Sequence, residues 1–257
     1  MTGSHWKDLF RAWSVLPRPV AVPPEAIAAI KAEVRGVRGP ILLLGLTRQL
    51  MDTSDDLVAI DRSVEMVLNR AGAVRTVAGD WTALPFAPAS FAGCIGDGSL
   101  ISFAFPDRLR SVLSEVARCL IPGGRFACRV FLRPDPTPGL GDLLSIARSG
   151  GMTFQHFKFK FAMAMAAEAG SPNIAVAALP ELLAARLPGR DELAAQTGWD
   201  LAEIETIDVY RSSDATYCFP TRAELTSLLP RAFTAHRFVP VANHPLGQEW
   251  PVLVLDR

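Results

Sequence analysis

The sequence lacks several features that would each point to a class of protein. Its four cysteines form no C-x-x-C pair, which argues against zinc clusters and disulfide scaffolds and indicates a reducing compartment. Its 26 basic and 26 acidic residues balance, so it lacks the positive charge of a dedicated nucleic-acid-binding protein. No apolar run reaches the ~18 residues of a membrane span, and the first residues show no signal-peptide pattern. We therefore expect a cytoplasmic protein that binds no nucleic acid, membrane or metal.

Short apolar runs alternate with helical patterns along residues 23–131. Hydrophobic residues make up 49% of the chain, which is enough for a large packed core. Strands that alternate with helices at this spacing pair in parallel through right-handed crossovers, so we predict a three-layer α/β sandwich. The strands are predicted at residues 41–45, 57–60, 73–77, 91–95 and 125–131, and the helices at residues 25–34, 62–70 and 107–120.

The carboxyl-terminal part has a different pattern. A Pro- and Gly-rich linker is predicted at residues 133–142 and helices at 143–187, followed by a helix at 191–197, a strand at 201–210, a helix at 221–233 and a strand at 251–255. The segment FQHFKFKF (residues 154–161) has two interpretations. It could be a strip that stacks on single-stranded nucleic acid, or a helix that buries Phe154, Phe157 and Phe161. The neutral charge of the chain favours the helix.

The ends of the predicted strands are where a ligand would bind in an open parallel sheet. They carry small residues, which let a ligand approach the backbone, together with three acids and a tryptophan. The segments concerned are Gly45-Leu46-Thr47, Asp61-Arg62, Gly79-Asp80-Trp81 and Gly96-Asp97-Gly98.

The ordered series ILLLGLT, VAIDRS, VAGDWTALPFAPASF, IGDGSL and EVARCLIPGGRF resembles the class I S-adenosylmethionine-dependent methyltransferases. The resemblance covers residues 25–131 well and 199–255 loosely. It implies a Rossmann-like three-layer sandwich with a mostly parallel seven-stranded sheet and S-adenosyl-L-methionine as cofactor. A methyltransferase domain would span residues 39–257, with a helical insertion at 138–188 that covers the acceptor. The spacing of Trp6, Phe10 and Trp13 suggests one face of a helical cap at residues 1–38. Both the insertion and the cap could equally be part of the core.

At the first strand end, the resemblance assigns Gly45 and Thr47 to the methionine part of the cofactor. Gly45 would let the backbone approach it, and Thr47 could both cap the following helix and donate its hydroxyl to the carboxylate. Leu43 replaces the acid often found two residues before the first glycine, so the cofactor amine needs another partner. Without a ligand, Gly45 would simply form a tight turn.

The resemblance places the adenosine part of the cofactor at the ends of the second and third strands. Asp61 would accept the two ribose hydroxyls, or alternatively cap the following helix, and Arg62 would cover the adenosine edge or lie on the helix surface. Asp80 would accept the adenine amine and Trp81 would form a flat wall for the purine. The alternatives are a turn residue for Asp80 and a core aromatic for Trp81.

At the fourth strand end, Asp97 and Gly98 would lie near the sulfonium. Asp97 is the candidate catalytic residue, which would either bind the cofactor amine or accept a proton from the substrate. Alternatively, the Gly-Asp-Gly segment is only a turn and binds no ligand. Methyl transfer needs alignment more than it needs a base. None of His156, His236 and His244 lies in a catalytic motif, so we name no general base.

The expected function is methyl transfer to a small, largely apolar molecule. The alternative is a non-catalytic relative that binds the cofactor or a nucleoside as a sensor or subunit. A nicotinamide-dependent reductase is disfavoured because G-x-G-x-x-G and Tyr-x-x-x-Lys are both missing from the sequence.

Overall fold

The computed structural model describes residues 22–68, 74–244 and 246–257. They divide into two compact units, one formed by residues 133–221 and the other by residues 22–132 together with 222–257. The helices are α1 (Pro24–Glu33), α2 (Val64–Leu68), α3 (Asp107–Cys119), α4 (Leu140–Arg148), α5 (Phe154–Glu168), α6 (Leu179–Arg186), α7 (Arg190–Thr197), α8 (Leu201–Glu205) and α9 (Arg222–Ser227). The strands are β1 (Ile41–Leu44), β2 (Leu57–Asp61), β3 (Arg75–Ala78), β4 (Phe91–Asp97), β5 (Leu120–Arg129), β6 (Asn173–Ala175), β7 (Thr216–Cys218), β8 (Ala235–Val239) and β9 (Val252–Asp256).

The larger unit contains a seven-stranded sheet in the order β3-β2-β1-β4-β5-β9-β8. Strands β1 to β5 pair in parallel, and β9 pairs antiparallel with both β5 and β8. The predicted Rossmann-like, mostly parallel sheet is therefore confirmed. The chain runs outward from β1 to β3 and then returns to place β4 on the other side of β1. The strand order thus reverses between β1 and β4, which is where such sheets bind ligands.

The sheet forms because its central strands are apolar on both faces. All four residues of β1 are buried, and Leu43 and Ile41 belong to a cluster that also contains Ala26 and Ile30 of α1. Helix α3 carries the predicted apolar stripe, in which Leu109, Val112, Leu113 and Val116 are buried. In the part of the chain that the structure describes, no helix is long and apolar enough to cross a bilayer.

The unit formed by residues 133–221 is mainly helical, with a small antiparallel pair of β6 and β7. Helix α5 covers the FQHFKFKF segment, and Phe154, Phe157 and Phe161 are fully buried. The helical interpretation of that segment is confirmed. The predicted domain boundaries and the covering role of residues 138–188 stay predictions. Of the predicted cap, Trp6, Phe10 and Trp13 lie outside the described residues.

The strand predicted at residues 201–210 is wrong. This segment forms α8 and then a 3-10 helix, Thr206–Tyr210, after Asp200 accepts a hydrogen bond from the Ala202 amide at 2.9 Å. The buried residues Ile204, Ile207 and Tyr210 recur every third position, which fits a tight helix and not a two-residue alternation. The sixth and seventh sheet strands are instead β8, which we did not predict, and β9, while α9 ends earlier than the predicted 233.

The four cysteines are all buried thiols. Burial raises the pKa of Cys128 to about 12, and Cys94 and Cys119 also have raised pKa values for the same reason. Since the thiolate is the reactive species, we expect a thiol reagent at neutral pH to label none of them in the folded protein and four after unfolding. Rapid labelling of any cysteine under native conditions, measured by mass spectrometry, would contradict the fold.

Candidate active site at the carboxyl ends of the strands

The site-residue candidates of the sequence are distributed along one edge of the sheet. Asp61 and Asp97 are the last residues of β2 and β4, and Gly45 directly follows β1. Asp80 and Trp81 follow β3 after one glycine. Carboxyl ends of parallel strands lie at one edge of a sheet, so these residues flank the point where the strand order reverses.

The Ile60 carbonyl joins the first three strand ends. It accepts a hydrogen bond from the Gly45 amide at 2.8 Å and another from the Trp81 indole Nε1 at 3.1 Å. Gly45 has φ +94°, a conformation that favours glycine, and a Cβ placed there would lie 3.7 Å from Cη2 of Trp81. The indole therefore lies over the glycine turn, and the partly exposed Trp81 side chain belongs to the same strand-end region as Asp61.

Asp61 is a half-buried carboxylate at the end of β2. Its Oδ1 accepts a hydrogen bond from the Ser63 amide at 2.8 Å, which closes a local turn before α2. Burial raises the pKa of Asp61, although backbone hydrogen bonds from Ser63 and Arg62 and the charge of Arg62 oppose this shift. The neighbouring Arg62 is exposed.

Asp80 organises the turn that presents Trp81. Its Oδ1 accepts hydrogen bonds from the Thr82 amide at 2.9 Å and from the Thr82 hydroxyl at 2.8 Å, and Arg108 lies 3.7 Å from Oδ2. Burial raises the pKa of Asp80, but the Thr82 hydrogen bonds and the charges of Arg108 and Arg62 oppose it, and the net shift is downward. The turn role weighed for Asp80 is thus present. The Trp81 ring also contacts Phe103, with centroids 5.5 Å apart.

Asp97 is held by an arginine that the sequence analysis did not include. Both of its carboxylate oxygens accept from Arg129 of β5, Oδ1 from Nε at 2.6 Å and Oδ2 from Nη2 at 2.9 Å. The two residues are register partners at the ends of neighbouring strands, and their side chains are 7% and 2% exposed, respectively. Because both carboxylate oxygens already accept hydrogen bonds from Arg129, a positioning role for Asp97 is favoured over proton transfer. A charged residue within the apolar run of β5 was the available signal, since buried charges are normally paired.

The first strand–helix turn differs from the expectation. Thr47 was predicted to cap a helix, but the following element is only a three-residue 3-10 helix, Arg48–Leu50, and the Thr47 side chain makes no capping bond. The polar stretch after Leu50 closes tight turns, such as the 2.6 Å hydrogen bond from the Thr53 hydroxyl to the Leu50 carbonyl, and does not extend the helix. Leu43 is fully buried in the apolar cluster, so no polar group replaces the missing acid there.

None of the three histidine candidates becomes a general base. His236 is exposed on β8, and His156 belongs to the other unit. Burial and the charge of Arg129 lower the pKa of His244, which favours the neutral ring. Its Nδ1 accepts a hydrogen bond from the Leu246 amide at 3.1 Å, so the neutral ring carries its proton on Nε2 and has no basic nitrogen left for a substrate.

Comparisons with known proteins support the methyltransferase resemblance. Residues 44–128 match the family described as "Methyltransferase domain". A search of curated proteins gives no significant match. Among residues 22–68, 74–244 and 246–257, no group of three His, Cys, Asp or Glu side chains could hold a metal ion.

Several solved structures share the fold along nearly the whole chain. A protein from Rhodobacter sphaeroides described as a putative Zn-dependent alcohol dehydrogenase has a TM-score of 0.63 at 14% identity, covering 100% of this chain and 99% of that one. A SAM-dependent methyltransferase of Thermotoga maritima, described as a possible histamine N-methyltransferase, has a TM-score of 0.54 at 14% identity, covering 98% and 96%. A Pyrococcus horikoshii protein has a TM-score of 0.53 at 16% identity, covering 98% and 97%.

At these identities the solved structures establish the fold alone, and the family match covers residues 44–128. The order of strands, the reversal between β1 and β4, and the match over residues 44–128 agree with one another. Residues 44–128 thus match a methyltransferase domain within a fold that is consistent with the class I S-adenosylmethionine-dependent methyltransferases.

Proposed function

We propose that this methyltransferase binds S-adenosyl-L-methionine across the ends of β1 to β4 and methylates a small, largely apolar molecule. The observation that carries the proposal is the convergence of Gly45 and Trp81 on the Ile60 carbonyl, directly before Asp61. That arrangement supplies an aromatic wall, a backbone surface without a side chain and a carboxylate at one edge of the sheet.

The described residues fit the adenosine half of the cofactor. Asp61 is half-buried and offers carboxylate oxygens for the two ribose hydroxyls, with Arg62 beside it. Trp81 offers its indole face to the purine, and its contact with Phe103 braces that ring. In this proposal, Asp80 both orients Trp81 through its Thr82 turn and accepts the adenine amine.

The methionine half would be held differently from the family pattern. Gly98 has φ +61°, and a Cβ there would lie 2.8 Å from the Phe131 ring, so the turn beside Asp97 requires glycine. We propose that this Gly98 turn and the Gly45 turn present backbone groups to the amino-acid part and that the Thr47 hydroxyl donates to its carboxylate. Asp97, fixed by Arg129, would provide the negative charge near the sulfonium and the amine.

When bound, the cofactor supplies an already activated methyl group. The task left to the chain is alignment of the acceptor and exclusion of water. No described histidine provides a base, which suits an acceptor atom that needs no proton removed at working pH.

The small, apolar acceptor is supported by charge and by composition at the strand ends. A net charge of zero gives no electrostatic attraction for nucleic acid or an anionic membrane. Trp81, which is partly exposed and packs on Phe103, contributes aromatic surface at the same edge. A dehydrogenase role is less well supported because the sequence has no G-x-G-x-x-G turn.

Replacing Asp61 tests the ribose contact. We expect Asp61→Asn to lower the affinity for S-adenosylhomocysteine by about tenfold, since a charged acceptor is lost, as measured by isothermal titration calorimetry. Binding of the wild type requires the ionised carboxylate, and burial raises its pKa above the ordinary 3.8. Affinity should therefore fall as the pH drops from neutral toward the raised pKa of Asp61, whereas Asp61→Asn should show a flatter profile.

Equal affinity of the two proteins at every pH would remove Asp61 from the site. Absence of binding by the wild type to both S-adenosylmethionine and S-adenosylhomocysteine would overturn the proposed site. Tight binding without methylation of any tested acceptor would instead favour the non-catalytic alternative.

Gly45 and Gly36 form a matched pair for testing the glycine turn. Both have positive φ (+94° and +81°), and Gly36 lies outside the strand-end region, so alanine should destabilise each variant by about 1–2 kcal/mol. Only Gly45→Ala should also weaken S-adenosylhomocysteine binding, because its Cβ would lie 3.7 Å from the Trp81 indole, against which the purine is proposed to lie. Thermal unfolding and calorimetry on both variants measure the two effects. Equal cofactor affinity for the two variants would argue that Gly45 serves the turn alone.

A further inference from the structure

The Arg129 guanidinium has hydrogen-bonding capacity that its ion pair with Asp97 does not use. A guanidinium carries five N–H donors in a rigid fork. Asp97 accepts one from Nε and one from Nη2, which leaves the second N–H of Nη2 and both of Nη1. Among the residues that the structure describes, no acceptor pairs with these three donors.

Such donors are unfavourable on a side chain with this degree of burial. Arg129 is only 2% exposed, and its guanidinium carbon lies 5.1 Å from the centroid of the Phe131 ring. Asp97 and Phe131 together fix the plane of the guanidinium. The Nη1 atom of Arg129 is not among the fully enclosed polar atoms that lack a partner, so this edge keeps a little contact with solvent. Because so small a contact hydrates the guanidinium poorly, a group that accepts from the Nη1–Nη2 edge would be bound favourably.

The position of Arg129 in the sheet indicates whether the accepting group belongs to the cofactor or to the methyl acceptor. Arg129 ends β5, on the far side of β4 from β1, whereas the proposed ribose partner Asp61 ends β2. Three strand spacings separate β2 from β5, which is about 14 Å at about 4.8 Å each. A cofactor that has its ribose at β2 and its sulfonium near β4 leaves β5 to the molecule that lies beyond the methyl group.

We infer that Arg129 binds a carboxylate of the methyl acceptor through its Nη1–Nη2 edge, with Asp97 as the positioning residue that holds the fork. This inference rests on the proposed function and narrows its substrate to a small acid with an otherwise apolar body. The planar guanidinium matches a carboxylate with two parallel hydrogen bonds, a geometry that lysine cannot reproduce.

Benzoate and its uncharged analogue benzamide test the inference as probes. In the presence of saturating S-adenosylhomocysteine, we expect saturation-transfer NMR to show benzoate binding at least about tenfold tighter than benzamide. Arg129→Lys keeps a cation beside Asp97 but removes the fork, and should lower benzoate affinity by about tenfold. Benzamide binding at least as tight as benzoate would overturn the inference.

A second pair of variants separates the guanidinium from its partner. Asp97→Asn retains Arg129 and an amide oxygen that still accepts from it, so the fork stays in place, and the loss of the nearby anion should keep or strengthen benzoate binding. The double variant Asp97→Asn with Arg129→Gln replaces the ion pair by neutral groups of similar shape and should lose benzoate binding by at least about tenfold. Circular dichroism confirms folding, and Arg129→Lys provides the test if the double variant does not fold. Unchanged benzoate binding in a folded variant that lacks the guanidinium would overturn the inference.

The cofactor carries a carboxylate of its own, and a third arm distinguishes that source. Arg129→Lys keeps a cation beside Asp97, so we expect any loss of S-adenosylhomocysteine affinity relative to 5′-methylthioadenosine, which lacks the amino-acid part, to be much smaller than the loss of benzoate affinity. A loss confined to S-adenosylhomocysteine and as large as the loss for benzoate would assign Arg129 to the cofactor and overturn the acceptor role. Failure of the wild type to bind either nucleoside would mark failure of the proposed function, which is separate from a failure of carboxylate recognition.

Discussion

The two hydrogen bonds accepted by the Ile60 carbonyl determine the geometry of the strand-end region. One comes from the Gly45 amide and fixes the turn after β1, and the other comes from Trp81 and fixes the indole over that turn. Because Ile60 directly precedes Asp61, the same peptide links the glycine turn, the aromatic face and the carboxylate. The proposed adenosine site therefore depends on backbone geometry at the end of β2 as much as on the side chains around it.

A second constraint acts at the other end of the region, where Asp97 and Arg129 close the ends of β4 and β5. The pair places two opposite charges in a setting that excludes most water, where each charge depends on the other. The family pattern uses an acid within the first strand, but this chain has Leu43 in its apolar core. At the ends of β4 and β5, this chain instead has the Asp97–Arg129 ion pair, and three N–H donors of its guanidinium are not used by Asp97.

Much of the fold could be predicted because buried parallel strands are continuous apolar runs and α3 has an unbroken apolar stripe. Residues 201–210 were wrongly predicted as a strand because the segment is short and rich in apolar residues, whereas the burial of Ile204, Ile207 and Tyr210 follows a helical spacing. Strand β8 was missed because it is an edge strand whose first three residues are exposed, so it carries no buried pattern.

The candidate site could be located from the sequence for the same reason that the strands could. Each residue follows an apolar run directly, as Asp61 follows β2. The partner of Asp97 could not be located in this way, since it depends on the register between β4 and β5, which are separated by α3. The turn at Thr47 was also beyond sequence reasoning, because local hydrogen bonds of Thr53 and its neighbours compete with the expected helix.

The central claim is that an adenosine-bearing ligand lies against Trp81 at this sheet edge. The indole N–H resonance of Trp81, assigned by its disappearance in Trp81→Phe, tests it most directly in an NMR titration with S-adenosylhomocysteine. The account predicts a saturable shift of that resonance, while the indole of Trp199, which donates to the Met152 carbonyl at 2.9 Å in the other unit, serves as the internal reference. A Trp81 resonance that does not move at saturating ligand would contradict the account.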